Sequence, residues 1–191
     1  MTTLYITHQA GLAHVTPPGH PERVARLEAI YAALRDRQFD GLTRQAAPMA
    51  DEAELLRCHD AGYVDQIKAM RPSQGFASID GETIVGPASW DAALRAIGGT
   101  NAALDAVIAG KVMNAFVAMR PPGHHAERNR AMGFCLKGTV SIAAKRALDA
   151  HGLARVAVLD FDVHHGNGTQ DLLWDEPRAM FVSSQQMPLY P

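Results

Sequence analysis

The sequence predicts an α/β fold with a mostly parallel sheet, on three observations. Apolar runs of strand length alternate with segments of helical periodicity. The runs Asn114–Met119 and Arg155–Phe161 are apolar almost throughout, as strands covered on both faces are. A histidine-rich segment follows directly on each of these runs, at the carboxyl end where parallel sheets bind their ligands.

In chain order, Thr2–Thr7 (TTLYIT) is rich in strand-forming residues and makes the first strand. The prolines of Thr16–Pro21 (TPPGHP) forbid regular structure. From Pro21 onward Val24, Leu27, Ile30, Tyr31 and Leu34 fall at helical spacing. Asp51 and Glu52 suit the start of a short second helix, which carries Leu55 and Leu56, with Cys58 in the core and His59 at the surface. Arg71–Pro87 has several Gly, Pro and Ser residues and reads as a surface loop. A long alanine-rich helix spans Ala88–Gly110, with Gly98-Gly99 as its candidate break. Then come a strand at Asn114–Met119, a loop at Arg120–Gly133 and a helix at Thr139–His151 with Gly152 as C-cap. Strands at Arg155–Phe161 and Ala179–Ser183 follow, completing a βαβ alternation. No repeat, low-complexity tract or linker interrupts the chain, so a single domain over 1–191 is expected.

Composition excludes several classes. With 47% hydrophobic and 20% charged residues the chain is an ordinary globular one, long enough at 191 residues for a real core. Eighteen Lys and Arg against 20 Asp and Glu leave no cationic surface for phosphate neutralisation, so no nucleic-acid partner is expected. The apolar stretch Ala115–Met119 stops at Arg120, far short of the ~20 residues of a membrane span. The first basic residue is Arg23, unlike a secretory start, and two cysteines fit a reducing compartment. The expected location is cytoplasmic.

Two segments carry chemistry. In an extended strand Asp160, Asp162 and His164 share one face, while Phe161 and Val163 point the other way into apolar packing. Two carboxylates and an imidazole converging at a strand end suit zinc or a similar divalent metal, with Asp160 free to orient a neighbouring histidine instead. The second segment, Arg120-Pro121-Pro122-Gly123-His124-His125, presents two imidazoles on a stiffened backbone. Each segment alone fits a hydrogen-bonded turn. Together they point to a metal-assisted hydrolase.

The motifs RPPGHHA (Arg120–Ala126), Gly133-Phe134-Cys135, DFDVHHGNG (Asp160–Gly168) and SSQQMPLYP (Ser183–Pro191), with His20-Pro21-Glu22-Arg23 ahead of them, resemble the zinc-dependent histone deacetylase family. The flavour is that of its bacterial class II-like members, close to the acetylpolyamine amidohydrolases. The resemblance implies a three-layer α/β/α fold of the arginase/deacetylase kind. It implies Asp162 and His164 as zinc ligands, and His124 and His125 as the tandem histidines sharing general base and general acid work. Asp160 then orients His124, and Asn167 partners His125. Gly133 and Phe134 would form one wall of an acyl-lysine tunnel and Tyr190 the other, with Asp80 as the acidic rim residue and Arg26 lining an internal cavity. Ser183 and Ser184 would join Asp160, Asp162 and His164 around a monovalent cation, K+ or Na+. The partners implied are an acetylated lysine peptide or an acetylated small amine, with homo-oligomerisation left open.

The same resemblance places a third zinc ligand, an aspartate, and an oxyanion-stabilising tyrosine beyond the position matched by Pro191. The 191 residues are therefore expected to be the N-terminal portion of the domain. Relatives also often carry Phe-Asn-Asn where Lys137-Gly138-Thr139 stands, and His where Gln185 stands. Two other readings stay open: a non-catalytic acyl-amine-binding or inert protein, and an arginase-like binuclear hydrolase. The latter is disfavoured because Gly166 stands where a second metal would need an aspartate.

Overall fold

A computed structural model describes residues 2–191. In chain order the elements are β1 (Thr3–Thr7), α1 (Ala10–Ala13), α2 (Val24–Ala33), β2 (Thr43–Ala46), α3 (Ala61–Ala69), β3 (Ala77–Ser78), β4 (Ile84–Val85) and α4 (Ser89–Ile108). β5 (Asn114–Ala118), α5 (Thr139–Asp149), β6 (Val156–Asp160), α6 (Asn167–Leu173) and β7 (Ala179–Ser183) complete them. They form two compact units. One takes the N-terminal residues through Asp51 with Met70–Ala77 and Ile84–Pro121; the other takes Glu52–Ala69, Ser78–Thr83 and Pro122–Pro191.

In the first unit β1 lies between β2 and β5, parallel to both. Its side chains alternate between two cores, as the pleat requires. Leu4 and Ile6 pack with Ala47 and with Ala103 of α4, while Tyr5 packs with Leu27 of α2 and with Ala118. Helices thus cover both faces of β1, but β2 is exposed along its length and β5 is only partly covered, with Phe116 47% exposed, so the two-sided burial expected of Asn114–Met119 is not found. α4 is continuous, so the expected break at Gly98-Gly99 is not there. The two glycines serve close approach: a Cβ on Gly98 would overlap the carbonyl of Pro48, and one on Gly99 would crowd Ala47 and Ile6.

A buried ion pair closes this unit. Arg120, fully buried at the end of β5, donates from Nε and Nη2 to the two carboxylate oxygens of Glu22 at 2.5 and 2.6 Å. Its Nη1 donates to the carbonyls of Gly11 and His14 at 2.9 and 2.8 Å. Burial alone would raise the Glu22 pKa. Hydrogen bonds from His14 and Arg120 outweigh it and hold the value at about 2.

The second unit packs α5 and α6 with the parallel pair β6–β7. α5 buries Ile142, Ala143, Ala147 and Leu148; α6 buries Leu172 and Leu173. Both strands alternate half-buried and exposed residues, so Leu159, Met180 and Val182 stand exposed on one face. Cys58 is in the core as expected, but His59 is buried, 2% exposed, not at the surface. It lies past the 3₁₀ turn Glu52–Arg57, where the chain folds inward ahead of α3.

Candidate active site

The residues after β6 gather most of the site, all within the second unit. The strand stops at Asp160, and the chain bends at residues 162–164 rather than extending. Asp160 Oδ1 accepts the Asp162 N–H at 3.1 Å, and Asp162 Oδ1 accepts the His164 N–H at 2.8 Å. Successive side-chain-to-backbone turns therefore replace the strand alternation expected from the sequence. They leave Phe161 90% exposed and Val163 47% exposed, so the apolar packing expected for these two is absent. The pairing of Asp162 with His164 survives by another route: Asp162 Oδ1 also lies 2.9 Å from His164 Nδ1.

The two adjacent histidines have different partners. His124 Nδ1 lies 2.8 Å from Asp160 Oδ2. An ionised carboxylate only accepts, so Nδ1 carries a proton toward Asp160, which leaves Nε2 as the nitrogen that can exchange a proton with substrate. His125 Nδ1 lies 2.8 Å from Asn167 Oδ1. The Asn167 amide is oriented by its Nδ2, which donates to Glu127 Oε1 at 2.8 Å, so His125 is also protonated on Nδ1. The rings stand 3.9 Å apart, and His125 lies 5.9 Å from the His164 ring. Burial pushes the His125 pKa down, which the Asn167 hydrogen bond offsets only in part, and His124 and His164 push it down further. Burial would raise the Asp162 pKa, but the His164 N–H and the nearby imidazoles hold it below the usual carboxylate range.

Glycines leave room for this cluster. A Cβ on Gly133, which sits at φ +55°, would overlap the His125 ring. One on Gly166 would overlap Asp160 Oδ2 and crowd His124. Phe134 follows Gly133 with φ 68°, the described non-glycine residue at positive φ, and its N–H donates to Thr83 Oγ1 at 3.2 Å. Tyr190 stands edge-on to His125 at 4.9 Å and to His164 at 6.0 Å. Burial raises its pKa, and a hydrogen bond to the Glu82 carboxylate raises it further. Tyr190 and Asp80 line one recess of about 600 Å³ with Glu82, Arg130 and Met132. Asp80 Oδ1 accepts the N–H groups of Glu82 and Thr83 and so caps its own turn.

Asp162 and His164 offer a carboxylate oxygen and an imidazole nitrogen, donors that fit zinc. The count is two: among the described residues no three His, Cys, Asp or Glu are grouped to hold a metal. For a monovalent cation, Ser183 Oγ is a buried oxygen with no hydrogen-bond partner, and Ser183 pairs with Asp160 across β6–β7. The Ser184 N–H donates to the Asp160 carbonyl at 3.0 Å. Arg26 lies exposed on α2 of the first unit.

Sequence reasoning missed Glu127, Glu82 and Arg130. Glu127 stands in the RPPGHHAE segment and was available as an amide partner; the other two are isolated charges in polar loops with no pattern to mark them. Among the described residues no helix is long and apolar enough to cross a membrane.

The profile of the histone deacetylase domain matches residues 20–191. An uncharacterised protein of Synechocystis sp. is 44% identical over 190 residues, which cover 94% of this chain and 60% of that protein. The histone deacetylase-like amidohydrolase of Pseudomonas aeruginosa is 39% identical over 187 residues, 93% of this chain and 47% of its own length. A probable deacetylase of Archaeoglobus fulgidus is 36% identical, matching all of this chain and 53% of its own length. The crystal structure of the HDA15 HD domain superposes with a TM-score of 0.91 at 31% identity, over 97% of this chain and 54% of that one. The chain thus spans about half the length of the curated relatives it matches.

Proposed function

The chain belongs to the histone deacetylase family, with its α/β arginase/deacetylase fold, and from that premise we propose that it carries the histidine and metal-ligand part of a zinc-dependent amidohydrolase. The bond cleaved is the amide of an acetyl-lysine or an acetylated polyamine-type amine. The observation that carries this reading is the pair of Nδ1-anchored imidazoles, His124 on Asp160 and His125 on Asn167, beside the Asp162–His164 pair.

Asp162 and His164 would hold the zinc, as two of the three protein ligands a catalytic zinc takes. Zinc, when bound, supplies Lewis acidity to the substrate carbonyl and to a water. The chain's own residues move the protons. His125, kept neutral by burial and held by a neutral amide, takes the proton of the attacking water at Nε2. His124, held at Nδ1 by the Asp160 carboxylate, hands a proton from Nε2 to the departing amine, and the proton that His125 took from the water replaces it for the next turnover. Atoms balance: the water hydroxyl joins the acetyl carbon, the C–N bond breaks, and acetate and free amine leave. Gly133, Phe134 and Tyr190 would flank the acyl chain. Asp80 and Glu82 in the adjoining recess give its mouth acidic character suited to a cationic or amide-bearing substrate.

The test is hydrolysis of a fluorogenic acetyl-lysine peptide with zinc supplied. In a full-length protein containing these residues, the expected result is hydroxamate-sensitive turnover that His124→Ala abolishes while zinc stays bound; undiminished turnover in that variant sinks the assignment. A second reading, a non-catalytic binder of acylated amines, is favoured by the donor count of two. Zinc content separates them, because a pure binder needs none.

A further inference from the structure

His59 and Tyr63 are buried in the second unit, outside the catalytic cluster, and no step above uses them. Both nitrogens of His59 are engaged by backbone. Nδ1 lies 3.1 Å from the Arg128 carbonyl, and Nε2 lies 2.9 Å from the Gly138 N–H. A carbonyl only accepts and an amide only donates. One form alone therefore satisfies both contacts, the neutral ring protonated on Nδ1. Tyr63, its ring 5.1 Å from that of His59, donates its hydroxyl to the Leu136 carbonyl at 2.7 Å. The segment ahead of α3 and its first turn thus grip residues 128–138 at three backbone atoms: the carbonyls of Arg128 and Leu136 and the N–H of Gly138.

That span contains Gly133, whose Cα lies so close to His125 that no side chain fits between them, and Phe134, held at positive φ. A non-glycine residue at positive φ persists only where its surroundings hold it there. We infer that His59, in its neutral Nδ1–H form and with Tyr63, is a positioning residue that holds the Gly133–Phe134 turn against His125. This rests on the reading of His125 as the proton acceptor. Burial keeps His59 neutral, with its pKa pushed down to about 4, and the charges of Lys137 and Arg128 act in the same direction while the Arg128 carbonyl opposes them.

Three readouts test it on the full chain. Nitrogen-15 NMR of the wild type should show His59 protonated on Nδ1 and unprotonated on Nε2 at pH 7; the reverse tautomer overturns the proposal even if no variant folds. In His59→Phe, amide exchange at Gly138 and at Gly133–Cys135 should quicken at least 10-fold, and the His125 ring signals should shift while those of the His124–Asp160 pair stay. His59→Gln, which keeps an acceptor for the Gly138 N–H, should restore part of the protection. Unchanged exchange and an unchanged His125 signal in a folded His59→Phe protein also overturn it. In an active preparation kcat should fall at least 10-fold with bound zinc unaltered. If the tautomer and exchange results hold but turnover never appears, the deacetylase reading fails and the positioning role stands.

Discussion

The roles proposed for His124 and His125 rest on the atoms facing their Nδ1 positions: a carboxylate for one, a neutral amide for the other. At this scale the site tolerates little added volume. Gly166→Ala would drive a methyl into the Asp160 carboxylate, so His124 should lose its partner. The expectation is a loss of turnover of 10-fold or more with zinc binding retained, read from kcat and metal content together. Glu22 offers a pH test away from the site. Its folded pKa of about 2 lies below the ordinary value of 4.5. Stability from this group is therefore full above pH 4.5 and is lost as pH falls toward 2. Glu22→Gln leaves the Arg120 charge buried without its partner and should cost about 3–5 kcal/mol at neutral pH. Denaturant titrations from pH 7 to 3 should show the gap between wild type and variant narrowing with acid; a constant gap would contradict the assignment.

At the scale of elements, glycine in α4 tests whether propensity or packing decides. Gly→Ala inside a helix ordinarily stabilises by about 1 kcal/mol. Gly98→Ala should do the opposite, because its methyl overlaps the Pro48 carbonyl, and overpacking of this kind costs roughly 1–3 kcal/mol. A rise in thermal midpoint for that variant would refute the close-approach account. The same helix shows where sequence reading stops: a Gly-Gly pair looks alike whether it breaks a helix or lets another segment press against it. Strands β1, β5, β6 and β7 were legible because each is a short run rich in apolar and strand-forming residues. β2 (TRQA) was not, since it is exposed along its length and has no apolar pattern to read. α6 escaped because its residues were read only as part of a histidine loop. The Asp160–His164 run was legible in its residues and not in its geometry: turns closed by side-chain oxygens leave the same letters as a strand. His59 looked like a surface residue because nothing local marks a histidine whose partners lie 69 and 79 positions away.

For the molecule as a whole, the family follows from motifs spread along most of the chain, and the profile match over residues 20–191 agrees with them. The deacetylase chemistry rests on a smaller claim, that Asp162 and His164 take zinc while His124 and His125 take protons. Equilibrium zinc titration of the wild type, Asp162→Ala, His164→Ala and His124→Ala tests that division most directly. The expected result is saturable zinc binding that weakens at least 10-fold in the first two variants and stays within a factor of two in His124→Ala. Equal zinc binding by all four proteins would contradict it.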